Sequence, residues 1–320
     1  MNITACIITD GKKNKELLKC VASLKCCKEI IIGANNNSYD SVKELFKKNF
    51  RVRVVNQIWK ENFSKARNEI LELACMDWIL TIDSDEILET EIMYLDPQYD
   101  FYLAVQENNG EDYWNGRVFK NHKGYYYKNI MHESLEHHMK KGNYARSNIK
   151  IAHSGYEISN DELEQKLERN YKLMLKDKGN PVRNYHLGNY EYLKNHNYKK
   201  ALKYYSKAMK DKVNAEHKAS ILNCIYACQT LLKYDTRITM NTLAQSLKIL
   251  PLQKQARVHA VEHLVSVLNE ENKKNLIPVI EKELDKIESI ELNKSSMLYS
   301  DLQLEKNYLK NKKEEIIKWQ

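Results

Sequence analysis

Four short runs rich in Ile and Val punctuate the start of the chain: Ile3 to Ile8, Glu29 to Gly33, Arg51 to Asn56 and Trp78 to Ile82. Each is flanked by a segment of helical spacing. Lys15 to Leu24 sets Leu17, Leu18, Val21 and Leu24 on one side, and Phe63 to Ala74 does the same with Ala66, Ile70, Leu73 and Ala74. Strands alternating with helices predict an α/β fold with a parallel sheet that those helices cover. Past Asp100 the pattern changes to shorter strands, expected at Phe101 to Gln106, Gly116 to Phe119 and Gly124 to Lys128, separated by polar turns. From Asn160 onward almost every segment has helical spacing. A chain of 320 residues accommodates two domains, and these shifts place them at 1–158 and 159–320. With only 9 Gly and 4 Pro, the composition favours helix-rich structure.

The helical half contains one segment with a repeat signature, residues 183–210. Leu187, Gly188, Tyr198, Ala201, Tyr205 and Ala208 fall where a tetratricopeptide-like helix pair needs its small and large packing residues, with one extra residue in the turn. Small residues let the two helices approach, and the aromatics fill the space toward the next pair. Ala219 to Leu232, Thr242 to Leu250 and Ala256 to Leu268 continue as degenerate neighbours.

The chemistry is concentrated in residues 61–88, where a helix leads into the buried strand WILTI and the strand ends in Asp83-Ser84-Asp85-Glu86. In open α/β sheets ligands bind beyond the carboxyl ends of the strands. Two carboxylates at i and i+2 in that place can divide their work, one hydrogen bonding and the other binding a hard cation such as Mg²⁺ or Mn²⁺. An acidic, solvated turn would have the same sequence.

The order and spacing of Phe63-Ser64-Lys65-Ala66-Arg67-Asn68, the aromatic-aliphatic strand and DSDE resemble the family 2 glycosyltransferases. The resemblance extends through residues 116–135, with an Arg-x-Phe strand, a basic turn and the pair His132-Glu133. It continues through residues 149–156 and the following helix with Arg169 and Asn170. Among members of that family it is similar to the repeat-bearing peptide S-glycosyltransferases. It implies a GT-A fold, that is, a Rossmann-like nucleotide-sugar domain, followed by an all-α repeat domain, and a nucleotide-diphosphate sugar as donor, a UDP-sugar by the habit of the family. It further implies that Asp83 lies near ribose or metal and that Asp85 ligates a Mn²⁺ or Mg²⁺ bridging the diphosphate. Arg67 then stands by the nucleotide, where it binds phosphate or braces a carboxylate, unless it is a surface helix residue. His153 approaches the metal or diphosphate, or is a plain structural histidine. An inverting transfer needs a carboxylate to take the acceptor's proton, and Glu133 is the candidate, with His132 beside it; a supporting hydrogen-bonded pair is the alternative. Two loops depart from the family pattern. After the first strand stands ITDGKKNKE, and after the second GANNNSYD, where the family's nucleobase-reading aspartate is missing or replaced by Asn35 and Asp40 is the only nearby acid.

The formal charge of +8 fits nucleic acid, an anionic membrane or an anionic substrate and chooses none of them. Lysines interleaved with acids from Glu162 to Lys178 read as a solvated face, which argues against nucleic acid. The chain opens on a strand rather than an export signal, and no stretch reaches the roughly 18 apolar residues of a spanning helix. The seven Cys lack CxxC spacing and read as buried, reduced thiols. A cytoplasmic location is therefore expected. The expected partners are the sugar donor and a peptide or protein acceptor met by the helical repeats, at a Cys sulfur or a Ser/Thr oxygen, with a homodimer left open. A cell-surface glycan acceptor, or a degenerate transferase domain serving a peptide-binding repeat protein, are the competing readings.

Overall fold

The computed structural model describes residues 2–108, 111–153, 160–290 and 302–319, which fall into two compact units, Met1–Asn180 and Pro181–Gln320. The first is built on a mixed sheet with eight described strands: β1 (Ile3–Thr9), β2 (Glu29–Asn35), β3 (Val52–Gln57), β4 (Trp78–Thr81), β5 (Glu86–Leu88), β6 (Phe101–Asn108), β7 (Glu111–Lys120) and β8 (Tyr144–His153). Their spatial order is β3-β2-β1-β4-β7-β6-β8-β5. The first four in that order run parallel, as the Ile/Val runs predict. The sheet then turns mixed, because β7 joins β4 antiparallel and β6 pairs antiparallel with β7 but parallel with β8.

Successive side chains of a strand point to opposite faces, and here both faces are covered. Ile3, Ala5, Ile7, Ile30 and Ile32 join Leu17, Val21 and Val42 in one core, beneath α1 (Asn14–Ser23) and α2 (Tyr39–Leu45). The intervening Cys6 and Ile31 face Ile70, Leu71, Phe101 and Phe119 in the other, beneath α3 (Phe63–Leu71). The short helix α4 (Glu136–Met139) and the long α5 (Asn160–Lys176) complete this unit. Its fold is a GT-A-like mixed α/β domain.

The second unit is all helical: α6 (Arg183–Leu193), α7 (Tyr198–Ala208), α8 (Ala215–Leu231), α9 (Thr236–Ile249), α10 (Lys254–Ser266), α11 (Lys273–Ser289) and α12 (Leu302–Ile317). Each packs on the next in sequence. At the α6–α7 contact a Cβ on Gly188 would stand 2.5 Å from the Tyr205 ring, so only glycine lets that fully buried tyrosine lie flat on α6. The Tyr205 hydroxyl then donates to Asn189 Oδ1 at 2.8 Å.

Three details differ from the sequence reading. Residues 124–128 form no strand, only an isolated bridge from Lys128 to Ser134, because Gly124 at φ +69° turns the chain away from the sheet. The helix expected to reach Ala74 ends at Leu71. Of the seven free thiols, Cys75 is exposed and Cys26 and Cys224 are only partly buried, so the uniform picture of buried cysteines does not hold. Among the described residues no helix is long and apolar enough to cross a membrane.

Gly188→Val should destabilise the helical unit by about 1–3 kcal/mol, the usual cost of overpacking a filled contact. Chemical denaturation followed by far-UV circular dichroism measures it, and an unchanged midpoint would mean that the α6–α7 contact opens freely.

Candidate functional site

The carboxyl ends of the parallel strands gather the chemistry. β1 leads to Asp10, β2 ends at Asn35, β3 ends at Gln57, and β4 runs on into Asp83, Ser84 and Asp85. Gly11, at φ +74°, lies so close to Ser38 that a Cβ would come within 2.2 Å of it, which binds the loop after β1 to the loop after β2. Asn35 is partly buried there, and its carbonyl accepts from the Ser38 hydroxyl at 2.9 Å.

Helix α3 explains its own motif residue by residue. Asn62 caps it, accepting from Lys65 N at 2.9 Å, and its first turn is zipped to the segment 127–130. Phe63 N donates to the Ile130 carbonyl at 2.9 Å, the Ser64 hydroxyl donates to the Asn129 carbonyl, and Asn68 exchanges two hydrogen bonds with the Tyr127 backbone, at 2.8 and 3.0 Å. Arg67 therefore projects from α3 between that segment and the end of β4. Its Nε donates to Glu133 Oε1 and its Nη2 to Asp83 Oδ1, both at 2.6 Å, with the Tyr127 ring 5.6 Å from the guanidinium. Only 6% of Arg67 is exposed, so it is no surface helix residue.

Asp83 is held from a second side. Arg117 of β7 lies 3.6 Å from Asp83 Oδ2 and 2.8 Å from Glu86 Oε1. Burial would raise the Asp83 pKa, but Arg67 and Arg117 overcome that and hold it well below the usual carboxylate range. Glu86, 1% exposed, closes the acidic turn on itself: its Oε2 accepts from Asp83 N at 2.8 Å while its own N donates to the Asp83 carbonyl at 3.0 Å. Gln106 donates to its other oxygen. Burial pushes Glu86 up to about 7 although Arg117 pulls the other way. Asp85, next to it, points elsewhere and is a quarter exposed, 3.9 Å from Lys13 Nζ.

Glu133 enters from a loop set by backbone contacts. Asp177 and Asn180, just past α5, hold Ile130 and Met131 through Asp177 Oδ2, which accepts from Ile130 N at 2.8 Å, and through Asn180 Nδ2, which donates to the Met131 carbonyl at 2.8 Å. His132 then adopts φ +51° and turns the chain so that Glu133 meets Arg67. His132 itself is exposed, although surrounding atoms lower its pKa by desolvation against the opposing pull of Glu133 and Asp177. His153 ends β8 opposite Glu86 of β5; its side chain lies outside the described residues. The structure thus brings Arg67, Asp83 and Glu133 into direct contact, places Asp85 next to Asp83 in the same turn, and leaves Asn35 at the end of β2, with β1 between it and β4.

The sequence reading meets Arg117 only as the Arg of an Arg-x-Phe strand, with no partner, and takes Glu86 as a support of Asp85, whereas the structure sets both against Asp83. A signal for Arg117 exists in retrospect. It stands two residues before the buried Phe119 on one strand, hence on the same inward face, and a buried guanidinium requires an anion. Among the described residues no three His, Cys, Asp or Glu side chains converge as a metal cage.

Removing Arg67 leaves the mostly buried Glu133 without its cation, while the partly exposed Asp83 keeps Arg117, so Arg67→Ala should cost about 3 kcal/mol at neutral pH, the low end for breaking a buried pair. A carboxylate with a depressed folded pKa contributes stability above its unfolded value, 3.8 for Asp83, and loses it as pH falls through the folded one. The deficit of the variant should therefore shrink below about pH 4. Denaturation midpoints across pH measure this, and a deficit independent of pH would show that charge is not its source.

Residues 4–155 match the model of "Glycosyl transferase family 2". The glycosyltransferase SunS of Bacillus subtilis (strain 168), described as SPbeta prophage-derived, is 28% identical over 183 residues, covering 52% of this chain and 43% of SunS; SunS of Bacillus phage SPbeta matches equally. The chain thus spans less than half the length of these curated relatives. Among solved structures, S. aureus TarS aligns at 11% identity with a TM-score of 0.43, over 70% of this chain and 52% of TarS. Its fragment 1–349 in complex with UDP-GlcNAc aligns at 13% and 0.42, over 90% and 89%.

Proposed function

Because its residues 4–155 match the model of glycosyl transferase family 2, we propose that this chain is a cytoplasmic enzyme that transfers a sugar from a nucleotide-diphosphate donor, a UDP-sugar, to a peptide or protein. The observation that carries the reading is the acidic turn after β4, where Asp83 is locked by two guanidinium groups while Asp85 beside it is not drawn into that lock. The two aspartates thereby take different tasks. Asp83, held ionised and oriented, suits the hydrogen-bonding role toward the donor's ribose, whereas its engagement by Arg67 and Arg117 disfavours it as a metal ligand.

Asp85 suits the metal. Mg²⁺ and Mn²⁺ are commonly bound by one or two protein carboxylates with substrate phosphates and water rather than by a protein cage, and one accessible aspartate at a strand end is such a donor set. Such a cation supplies neutralisation of the charge that builds on the departing diphosphate. Asn35, in place of an acid, offers an amide that both donates and accepts toward a nucleobase. Glu133 is the proposed base, accepting the acceptor's proton as its oxygen or sulfur attacks the anomeric carbon. One of its oxygens is fixed by Arg67, which sets the orientation of the other. The tetratricopeptide character of the second unit's helices belongs to the same proposal, with α5 counted in the first unit and the boundary at Asn180 in place of 158. Stacked helix pairs offer extended surfaces suited to polypeptides, and the pairing of Gly188 with Tyr205 supports that repeat geometry. Seven free thiols fit a reducing compartment.

Two measurements test the reading. Asp85→Ala should abolish Mn²⁺- or Mg²⁺-dependent hydrolysis of the sugar donor with an unchanged melting temperature, since a partly exposed strand-end carboxylate fills no core space. Turnover that persists in the variant overturns the metal assignment. Glu133→Gln should cut transfer by roughly 10² to 10⁴, the range of positioned acid-base catalysis, with little change in nucleotide affinity. A thiol acceptor, with a pKa of about 8.5, should regain rate as pH rises, whereas undiminished transfer at neutral pH would remove Glu133 from the role.

A further inference from the structure

The amino edge of the sheet carries a surface that the proposed chemistry does not use. Phe50, in the turn that enters β3, is fully exposed, and Leu18 and Leu45 are 42% and 38% exposed beside it. Together they border an open groove of about 580 Å³ between the outer side of α1 and the end of α2. Exposed aromatic side chains at a turn, away from any core, are costly in water and mark an interaction site when they cluster.

The polar residues around this groove are mostly cationic. Along α1 the exposed positions Lys15, Leu18, Lys19 and Ala22 follow the i, i+3, i+4, i+7 spacing of one helix face, which sets two lysines on either side of the exposed leucine. At the end of α2, Lys48 lines the groove and Lys47 is exposed next to it, paired with Glu44. The arrangement is an apolar tip with a cationic rim. A nucleic acid satisfies the rim and can stack a base on Phe50, but neither it nor an acidic protein segment offers an apolar partner to the exposed aliphatic Leu18 and Leu45 beside that ring. An anionic bilayer satisfies both, since phosphate headgroups meet the lysines while an aromatic ring enters the acyl boundary.

We propose that this face, formed by α1, the end of α2 and the Phe50 turn, docks the protein peripherally on a membrane rich in anionic phospholipid. The surface lies at the end of the sheet opposite Asp83 and Asp85, because Phe50 precedes β3 whereas those aspartates follow β4. Docking there leaves the carboxyl edge of the strands outside the contact. The electrostatic part arises from several lysines acting together, each contributing a few-fold in partition near an anionic surface, and it weakens with salt.

Vesicle co-sedimentation of the full chain tests the proposal, with phosphatidylcholine vesicles doped with phosphatidylglycerol set against pure phosphatidylcholine. Binding to the doped vesicles alone, weakened by salt and reduced about tenfold or more in the triple variant Phe50→Ser, Lys47→Glu, Lys48→Glu, is the expected result. The variant should retain the wild-type melting temperature and donor hydrolysis, since every substituted side chain is exposed and remote from the acidic turn. Three results would overturn the proposal: no preference for anionic vesicles, equal binding by the variant, or association of the same face with an oligonucleotide or a second copy of the chain but not with vesicles. Gel-shift and sedimentation-velocity measurements on the same samples read the last of these. Loss of donor hydrolysis in the wild type would instead count against the proposed catalytic function and leave the vesicle result to stand by itself.

Discussion

The site depends on one buried cation. Arg67 is almost wholly removed from water, and a guanidinium in that position is tolerable only with anions against it. It finds two, Asp83 from the end of β4 and Glu133 from a loop about fifty residues further along the chain. A single side chain therefore ties the parallel half of the sheet to the irregular segment that follows β7. Arg117 repeats the device from the other side, joining Asp83 to Glu86. With two cations interleaved among three carboxylates, every member is positioned by its neighbours, and the acidic turn cannot rotate without leaving one of the charges unpaired.

This network also separates the roles of three nearby acids. Asp83 is pinned ionised. Glu86 is so deeply enclosed that burial, despite Arg117, brings its proton affinity close to neutrality, and its carboxylate folds the turn by accepting from the Asp83 amide. Asp85, a quarter exposed, stands outside the two-guanidinium lock, 3.9 Å from Lys13 Nζ. Carboxylates adjacent in sequence thus stand in three different surroundings, set chiefly by the cations that reach each of them.

The motif around Arg67 was legible in sequence for a reason that the hydrogen bonds make plain. Phe63, Ser64, Arg67 and Asn68 lie on one side of α3, and each has a specific task toward the segment 127–133 or Asp83. A run in which several residues are each fixed by a distinct bond keeps a recognisable pattern. Arg117 carries no comparable local pattern, because its partners lie more than thirty residues away and are supplied by the antiparallel pairing of β4 with β7. The expected strand at 124–128 failed on a similar ground. Its tyrosines suit a strand, but the segment is pinned to α3 by Asn68, so its backbone bonds go to a helix and not to a sheet.

The sequence by itself determined the alternation of strands and helices, the position of the acidic turn at a strand's carboxyl end, and the helical character of the second unit. These follow from periodicity and local chemistry, which act over a few residues. Only the tertiary structure decided that Arg67 is buried and bridges Asp83 to Glu133, that Arg117 meets Asp83 and Glu86, and that Glu86 is enclosed beneath the turn. Each of these is a matter of which distant group excludes water from which charge, and no spacing along the chain encodes that.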